Sequence, residues 1–73
     1  MEIDLHNMRH DKARQHLEEC IDALVFAGIS QEVQVITGNS IAMQNIAKQV
    51  LIDYKLDYVV GDLYNRGYIR VSV

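Results

Sequence analysis

The chain has one cysteine, no proline and no tryptophan among 73 residues, and it has no long apolar run. Cys20 has no partner for an internal disulfide, and no run approaches the roughly 18 apolar residues that a membrane-spanning helix needs. Glu2, Asp4 and His6 stand where a signal peptide would carry a basic start and an apolar stretch. We therefore expect a cytoplasmic protein with no membrane partner, folded as one domain over residues 1–73.

An excess of positive charge is also missing, because the formal net charge is −3. Residues 1–32 hold seven acids against three bases, whereas residues 33–73 hold three acids against four bases. This balance argues against a broad, sequence-independent nucleic-acid binder, which owes its affinity to Lys and Arg. A local binding site remains compatible with it.

The spacing of apolar residues changes once in the first part of the chain, from every second residue to every third or fourth. Residues Glu2 to His6 alternate polar and apolar side chains, which predicts a half-buried strand. Beyond Asp11 apolar residues recur every three or four positions, which predicts a helix that ends at Gly28. The apolar face of this helix comprises Ala13, Leu17, Cys20, Ile21, Leu24 and Val25.

The second part of the chain predicts one more helix and three more strands. Val33 to Thr37 is a β-branched strand, and Tyr58 to Tyr64 and Tyr68 to Val73 are two further strands. The last two strands join at Asn65-Arg66-Gly67, where we expect Gly67 to adopt a positive φ. The apolar face of the second helix comprises Met43, Ile46, Ala47, Val50, Leu51 and Tyr54.

The resulting order βαβαββ predicts an α/β two-layer sandwich, with two helices on one face of a four-stranded sheet. The residues expected to be buried are Leu17, Ile21, Leu24, Ile46, Val50 and Leu51. The strand residues expected to face the helices are Ile3, Leu5, Val59, Leu63, Ile69, Val71 and Val73. Those expected on the open face are Asp4, His6, Tyr58, Val60, Asp62, Tyr68, Arg70 and Ser72. Tyr and Arg side chains there either stack on unpaired bases or simply suit a half-exposed sheet.

Short motifs at the strand ends resemble those of a known family. Ile3-Asp4-Leu5-His6 is followed by Thr37-Gly38 after a hydrophobic strand, and Gly67 to Val71 forms a glycine-led last strand. Together with Arg9, Ala13 and Leu17, this pattern resembles the Smr (small MutS-related) domain, whose L-D-x-H and T/H-G-x-G motifs close its first two strands. The resemblance implies a mixed sheet, similar to the C-terminal domain of translation initiation factor three, and binding, nicking or cutting of DNA or RNA. Asn7 and Ser40 depart from it, since each stands where the family usually has glycine.

The first motif carries the candidate catalytic residues. Asp4 and His6 lie two apart on one strand, so both side chains emerge on the same face near its end. His6 can accept a proton from water or a ribose hydroxyl, while Asp4 orients it or holds an Mg²⁺ or Mn²⁺ ion. The structural alternative is that Asp4 accepts backbone hydrogen bonds from the next turn.

The second motif carries the candidate phosphate-binding residues. Thr37-Gly38-Asn39-Ser40 leads directly into a helix, so free N–H groups and the helix dipole would face an anion. The same turn is also explained as an ordinary strand-to-helix connection capped by Asn39 or Ser40. The other candidate nucleic-acid contacts are Arg9, Arg66, Tyr68 and Arg70.

Zinc is not predicted from the spacing of the histidines. His6, His10 and His16 fit no standard zinc pattern, and Cys20 falls among apolar helix positions and is expected in the core. Two functions therefore remain open. One is a nucleic-acid-binding domain with nicking or RNA-cutting activity, and the other is an inactive protein-interaction or homodimerisation module on the same fold.

Overall fold

The computed structural model describes residues 1–28, 30–62 and 64–73 of the chain. Its elements confirm the predicted order βαβαββ. They are β1 (Glu2–Asp4), α1 (His10–Ala27), β2 (Glu32–Ile36), α2 (Ile41–Asp53), β3 (Asp57–Val60) and β4 (Tyr68–Ser72). Within the described ranges, no helix is both long enough and apolar enough to cross a membrane.

The four strands form one mixed sheet in the order β1-β2-β4-β3. β1 pairs with β2 in parallel, and β4 pairs antiparallel with both β2 and β3. Strands β1, β2 and β3 therefore end at the same edge of the sheet, where β4 begins. We call this the upper edge. Because each helix follows a strand that ends there, α1 and α2 also begin at the upper edge.

The core lies between one face of the sheet and the two helices, as predicted for a two-layer sandwich. β1, β2 and β4 bury alternate residues, and α1 and α2 bury residues three or four apart. One face of the sheet and one stripe of each helix are therefore buried. The buried core comprises Ile3, Leu5, Ala13, Leu17, Ile21, Leu24, Val33, Val35, Met43, Ala47, Val50, Leu51, Ile69 and Val71.

Two residues of the predicted core, Ile46 and Cys20, and one further residue of the predicted apolar face of α1, Val25, are not fully buried. Ile46 is only half-buried and Val25 is 55% exposed, because each lies at the margin of its apolar stripe rather than at the centre. Cys20 is half-buried at the edge of the core, with its thiol beside His16. Burial raises the pKa of the Cys20 thiol.

The predicted facing of β3 is wrong by one residue. Tyr58 lies opposite Val71 and is half-buried, whereas Val59 lies opposite Arg70 and is 56% exposed. Directly opposed residues of an antiparallel pair share a face, so Tyr58 and Val60 pack towards the helices and Val59 points to the open face. Leu63, which was expected to face the helices, lies outside the described residues.

The connection between β3 and β4 also differs from the prediction. β3 ends at Val60, so Asp62 belongs to the connecting loop instead of the strand. Positive φ occurs at Gly61, at 53°, whereas Gly67 does not adopt it. A Cβ on Gly61 would lie 2.3 Å from the Asn65 carbonyl oxygen, so this position needs glycine for both conformation and space.

Candidate functional site

Asp4 and His6 form a contact pair where β1 reaches the upper edge. The backbone N–H of His6 donates to Asp4 Oδ1 at 3.1 Å, and the ring Nδ1 hydrogen bonds to the same oxygen. The hydrogen bond from His6 lowers the pKa of Asp4. The side chains of Asp4 and His6 remain 55% and 50% exposed, respectively, so both are open to a ligand.

This pairing fixes which ring nitrogen of His6 is free. An ionised carboxylate only accepts hydrogen bonds, so Nδ1 carries the hydrogen that points to Asp4. In the neutral imidazole Nε2 then has a free lone pair. The arrangement suits proton transfer at Nε2, and it also accounts for the structural alternative, since Asp4 does accept a backbone N–H.

The turn after His6 explains one departure from the family pattern. Asn7 has a φ of +64°, in the left-handed region that glycine adopts most easily. Asn tolerates this conformation better than most residues with a side chain, so the exchange preserves the turn. The turn closes with Met8 N–H donating to the Leu5 carbonyl at 3.1 Å.

The Thr37-Gly38 turn is closed by the carbonyl of a distant glycine. The backbone N–H groups of Thr37 and Gly38 both donate to the Gly67 carbonyl at 2.9 Å. The Thr37 hydroxyl donates to the Gly38 carbonyl at 2.9 Å, and the Thr37 residue is only 2% exposed. The prediction of free N–H groups is therefore wrong for these two residues, and Thr37 holds the turn in place from the interior.

Gly38 brings the two motifs together. Its φ is +68°, and a Cβ built on it would lie 3.5 Å from the Cβ of His6. The end of β2 therefore lies directly beside the Asp4/His6 pair. Gly67, the residue before β4, lies against the same turn, because a Cβ there would lie 3.5 Å from the Gly38 Cα.

Asn39 and Ser40 lead from this turn into α2. Ser40 is the N-cap, and its hydroxyl accepts the Met43 N–H at 3.2 Å. Its φ of −73° needs no glycine, which explains why serine can replace the second glycine of the family motif. Asn39 and Ser40 are exposed, so the positive end of the α2 dipole faces solvent near His6.

Two arginines flank the same edge. Arg9 occupies the N-cap position of α1, three residues after His6, and its side chain is 86% exposed beside Asp11. Arg66 is exposed in the loop before Gly67, and its carbonyl accepts the Gln44 side-chain N–H at 2.9 Å. The upper edge thus combines two helix N-termini with two exposed guanidinium groups, which favours an anion.

Tyr68 and Arg70 lie on the open face rather than beside His6. Tyr68 pairs with Ile36, which in turn pairs with Asp4, so Tyr68 stands two strands away from the carboxylate at the top of the sheet. Its hydroxyl donates to Asp62 Oδ2 at 3.0 Å, and this bond raises the pKa of Tyr68. Arg70 lies two residues further along β4, on the same face, and is not part of the upper edge.

The open face as a whole is acidic. Outward strand positions supply the carboxylates of Glu2, Asp4, Glu32 and Asp57 against the single guanidinium of Arg70. Phosphates are repelled by such an arrangement, so base stacking across the full sheet is disfavoured. The exposed guanidinium groups of Arg9 and Arg66 and the helix N-termini lie at the upper edge and not on this face.

The described residues do not by themselves build a metal cage at this site. Asp4 is the carboxylate beside His6, and one of its oxygens is already occupied. No group of three or more His, Cys, Asp or Glu side chains able to hold a metal occurs within the described part of the chain. The Asp4/His6 pair therefore offers at most one carboxylate oxygen to an Mg²⁺ or Mn²⁺ ion.

Sequence reasoning missed two residues that shape the site. Gln44 donates to the Arg66 carbonyl at 2.9 Å and thus ties α2 to the β3–β4 loop. Asp62 accepts the N–H groups of Tyr64 and Asn65 at 2.8 and 2.7 Å, and these bonds lower its pKa. Asp62, followed by Asn65 and Gly67, is a local sequence signal that predicts an Asx-type turn. No local signal predicts the role of Gln44.

Comparison with known proteins agrees with this architecture. The chain superposes on the crystal structure of the human small-MutS related domain with a TM-score of 0.79 and 20% sequence identity, covering 100% of each chain. No curated protein matches the sequence. The family model of the Smr domain matches residues 3–59, which include both strand-end motifs. The chain therefore belongs to the Smr domain family.

Proposed function

We propose that this Smr domain binds DNA or RNA at the upper edge of its sheet and cleaves a phosphodiester bond there. The observation that carries the proposal is the closeness of His6 to Gly38, three residues before α2 begins, since a Cβ built on Gly38 would lie 3.5 Å from the His6 Cβ. It places a group that can move a proton beside a helix N-terminus that favours a phosphate. The family membership supports the same class of ligand.

Binding is assigned to the groups that carry or mimic positive charge. Arg9 and Arg66 supply guanidinium groups for phosphate oxygens, and the exposed Asn39-Ser40 segment presents the start of α2. Thr37 and Gly38 do not donate to the phosphate, because the Gly67 carbonyl accepts both of their N–H groups; they hold the turn that positions Asn39 and Ser40. Tyr68 offers an aromatic ring at the top of β4, and Arg70 contributes only long-range charge from the open face.

Cleavage is assigned to His6, oriented by Asp4. Nε2 of the neutral imidazole takes the proton of the attacking hydroxyl, from water or from a ribose, as its oxygen bonds to phosphorus. The bond from phosphorus to the leaving ester oxygen breaks, that oxygen takes a proton from solvent water, and the His6 imidazolium returns its proton to solvent. Asp4 keeps the Nδ1 hydrogen in place and stabilises the imidazolium that forms.

The test measures binding and cleavage by the same wild-type chain. Fluorescence anisotropy over a salt series compares single- and double-stranded DNA and RNA of one sequence, and denaturing gels follow cleavage with EDTA, Mg²⁺ or Mn²⁺. We expect salt-dependent binding and a cleavage product on at least one substrate. A chain that neither binds nor cuts any substrate at low salt contradicts the proposal and favours the protein-interaction module.

A further inference from the structure

One pair of metal-ligating side chains lies apart from the upper edge. On α1 the Cys20 Sγ lies 3.8 Å from the His16 Nε2. The two residues are four apart, which places them one above the other on the same helix face. His16 is exposed and Cys20 is half-buried, so the space outside both atoms is open to solvent.

The distance matches the bite of a zinc ion. Tetrahedral Zn²⁺ with a Zn–S bond of about 2.3 Å and a Zn–N bond of about 2.0–2.1 Å holds these two atoms about 3.6 Å apart. The observed separation of 3.8 Å is close to this value. A thiolate and an imidazole are also the donors that zinc prefers in closed structural sites.

Two donors complete only half of a tetrahedral site. No group of three or more His, Cys, Asp or Glu side chains is available to one metal anywhere in the described ranges. The nearby carboxylate of Glu19 is held by the Gln15 side chain at 3.1 Å. In a closed site with four protein ligands, the other two must therefore come from a second molecule.

We propose that Zn²⁺ joins two copies of this chain through His16 and Cys20 of each, as a Cys₂His₂ site. In an antiparallel pairing of two α1 helices about a two-fold axis, His16 of one copy lies level with Cys20 of the other. Ala23 and Ala27 lie on the same flank and are exposed, so small side chains let the second helix approach. Tyr54 donates to Asp22 at 2.6 Å on the opposite flank, which faces α2 and stays covered.

The experiment uses the full chain, kept reduced with a phosphine and titrated with CoCl₂ and then ZnCl₂. We expect half an equivalent of metal per chain, a thiolate-to-cobalt charge-transfer band with tetrahedral visible bands, and a doubling of mass in sedimentation equilibrium. EDTA should reverse all three. One metal per chain without a change in mass, or octahedral cobalt bands, would overturn the proposal.

Matched variants locate the ligands. Cys20→Ser and His16→Ala should each lose the cobalt spectrum and the metal-dependent doubling of mass. Because His16 is exposed, its replacement leaves the fold intact, as circular dichroism will confirm. His10→Ala, which removes another exposed histidine of α1, should behave as wild type. Retention of the cobalt spectrum by either ligand variant would also overturn the proposal.

Discussion

His6 binds Asp4 through two nitrogens that reach the same carboxylate oxygen, Asp4 Oδ1. The backbone N–H fixes the position of the carboxylate, and the ring Nδ1 fixes the orientation of the imidazole. Because the two residues are only two apart, both hydrogen bonds are local to the end of β1. The pair is thus a preformed unit at the end of β1.

Replacing His6 by Ala should lower the cleavage rate by about 10²–10⁴-fold, the usual contribution of general acid–base catalysis. Nucleic-acid affinity should stay close to wild type, because proton transfer acts in the transition state. Asp4→Asn should lower the rate as well, since the amide does not stabilise the imidazolium. The matched control is His16→Ala, because His16 is exposed on α1 away from the upper edge, and equal cleavage by His6→Ala and wild type would contradict the assignment.

Replacing Arg9 or Arg66 by Ala should weaken binding at low salt. Each change should also reduce the slope of log affinity against log salt by about 0.7–0.9, the value of one phosphate contact. Anisotropy titrations at several salt concentrations measure both quantities. Lys55→Ala is the control, because Lys55 precedes β3 at the opposite edge of the sheet. An unchanged slope in both arginine variants would place the binding surface elsewhere.

The glycines with positive φ should differ in their tolerance of alanine. Gly28 has a φ of 69° and open space where a Cβ would stand, so Gly28→Ala should cost about 1–2 kcal/mol from conformation alone. Gly61→Ala should cost more, because its Cβ would lie 2.3 Å from the Asn65 carbonyl oxygen. Urea unfolding of the two variants measures the difference. Equal losses would show that the loop relaxes freely.

Acid should destabilise the protein partly through Asp62. Its pKa is lowered from the ordinary 3.8 by the N–H groups of Asn65 and Tyr64 and by the Tyr68 hydroxyl. A lowered folded-state pKa stabilises the fold above the ordinary value, and this stabilisation is lost as pH falls through the folded-state value. Asp62→Asn should therefore be less stable at neutral pH and lose less stability on acidification. Tyr68→Phe should give a smaller change in the same direction, and an Asp62→Asn variant with the wild-type acid profile would refute this role.

Two neighbours on α2 test the core. Leu51 is fully buried, so Leu51→Ala should cost about 2–5 kcal/mol, enough to unfold a domain whose core supplies roughly 3–5 kcal/mol. Ile52 is 54% exposed, and Ile52→Ala should cost far less. Thermal and urea unfolding followed by circular dichroism will compare them. Similar stability of the two variants would mean that the apolar face of α2 is misassigned.

The spacing of apolar residues along the sequence was enough to predict most of the secondary structure and most of the core. Period-two alternation placed Ile3 and Leu5 in the core, and it predicted Asp4 and His6 on the other side of one strand. In the structure β1 ends at Asp4, and His6 reaches Asp4 from the turn that follows. Helical spacing identified most of the buried residues of α1 and α2, and the strand-end motifs indicated the Smr family that the family model confirms. These features depend on neighbours a few residues apart, so the order of residues encodes them directly.

Tertiary structure alone decided the facing of β3 and the closure of the site. Tyr58, Val59 and Val60 are all acceptable in a buried strand, so only the register against β4 selects which of them face the helices. The Gly67 carbonyl accepts hydrogen bonds from the N–H groups of Thr37 and Gly38, about 30 residues earlier in the chain. No local sequence pattern predicts these two hydrogen bonds. Both features depend on hydrogen bonds between segments that are distant in sequence. These hydrogen bonds stabilise the chain only after the sheet has formed, so the local sequence does not encode them.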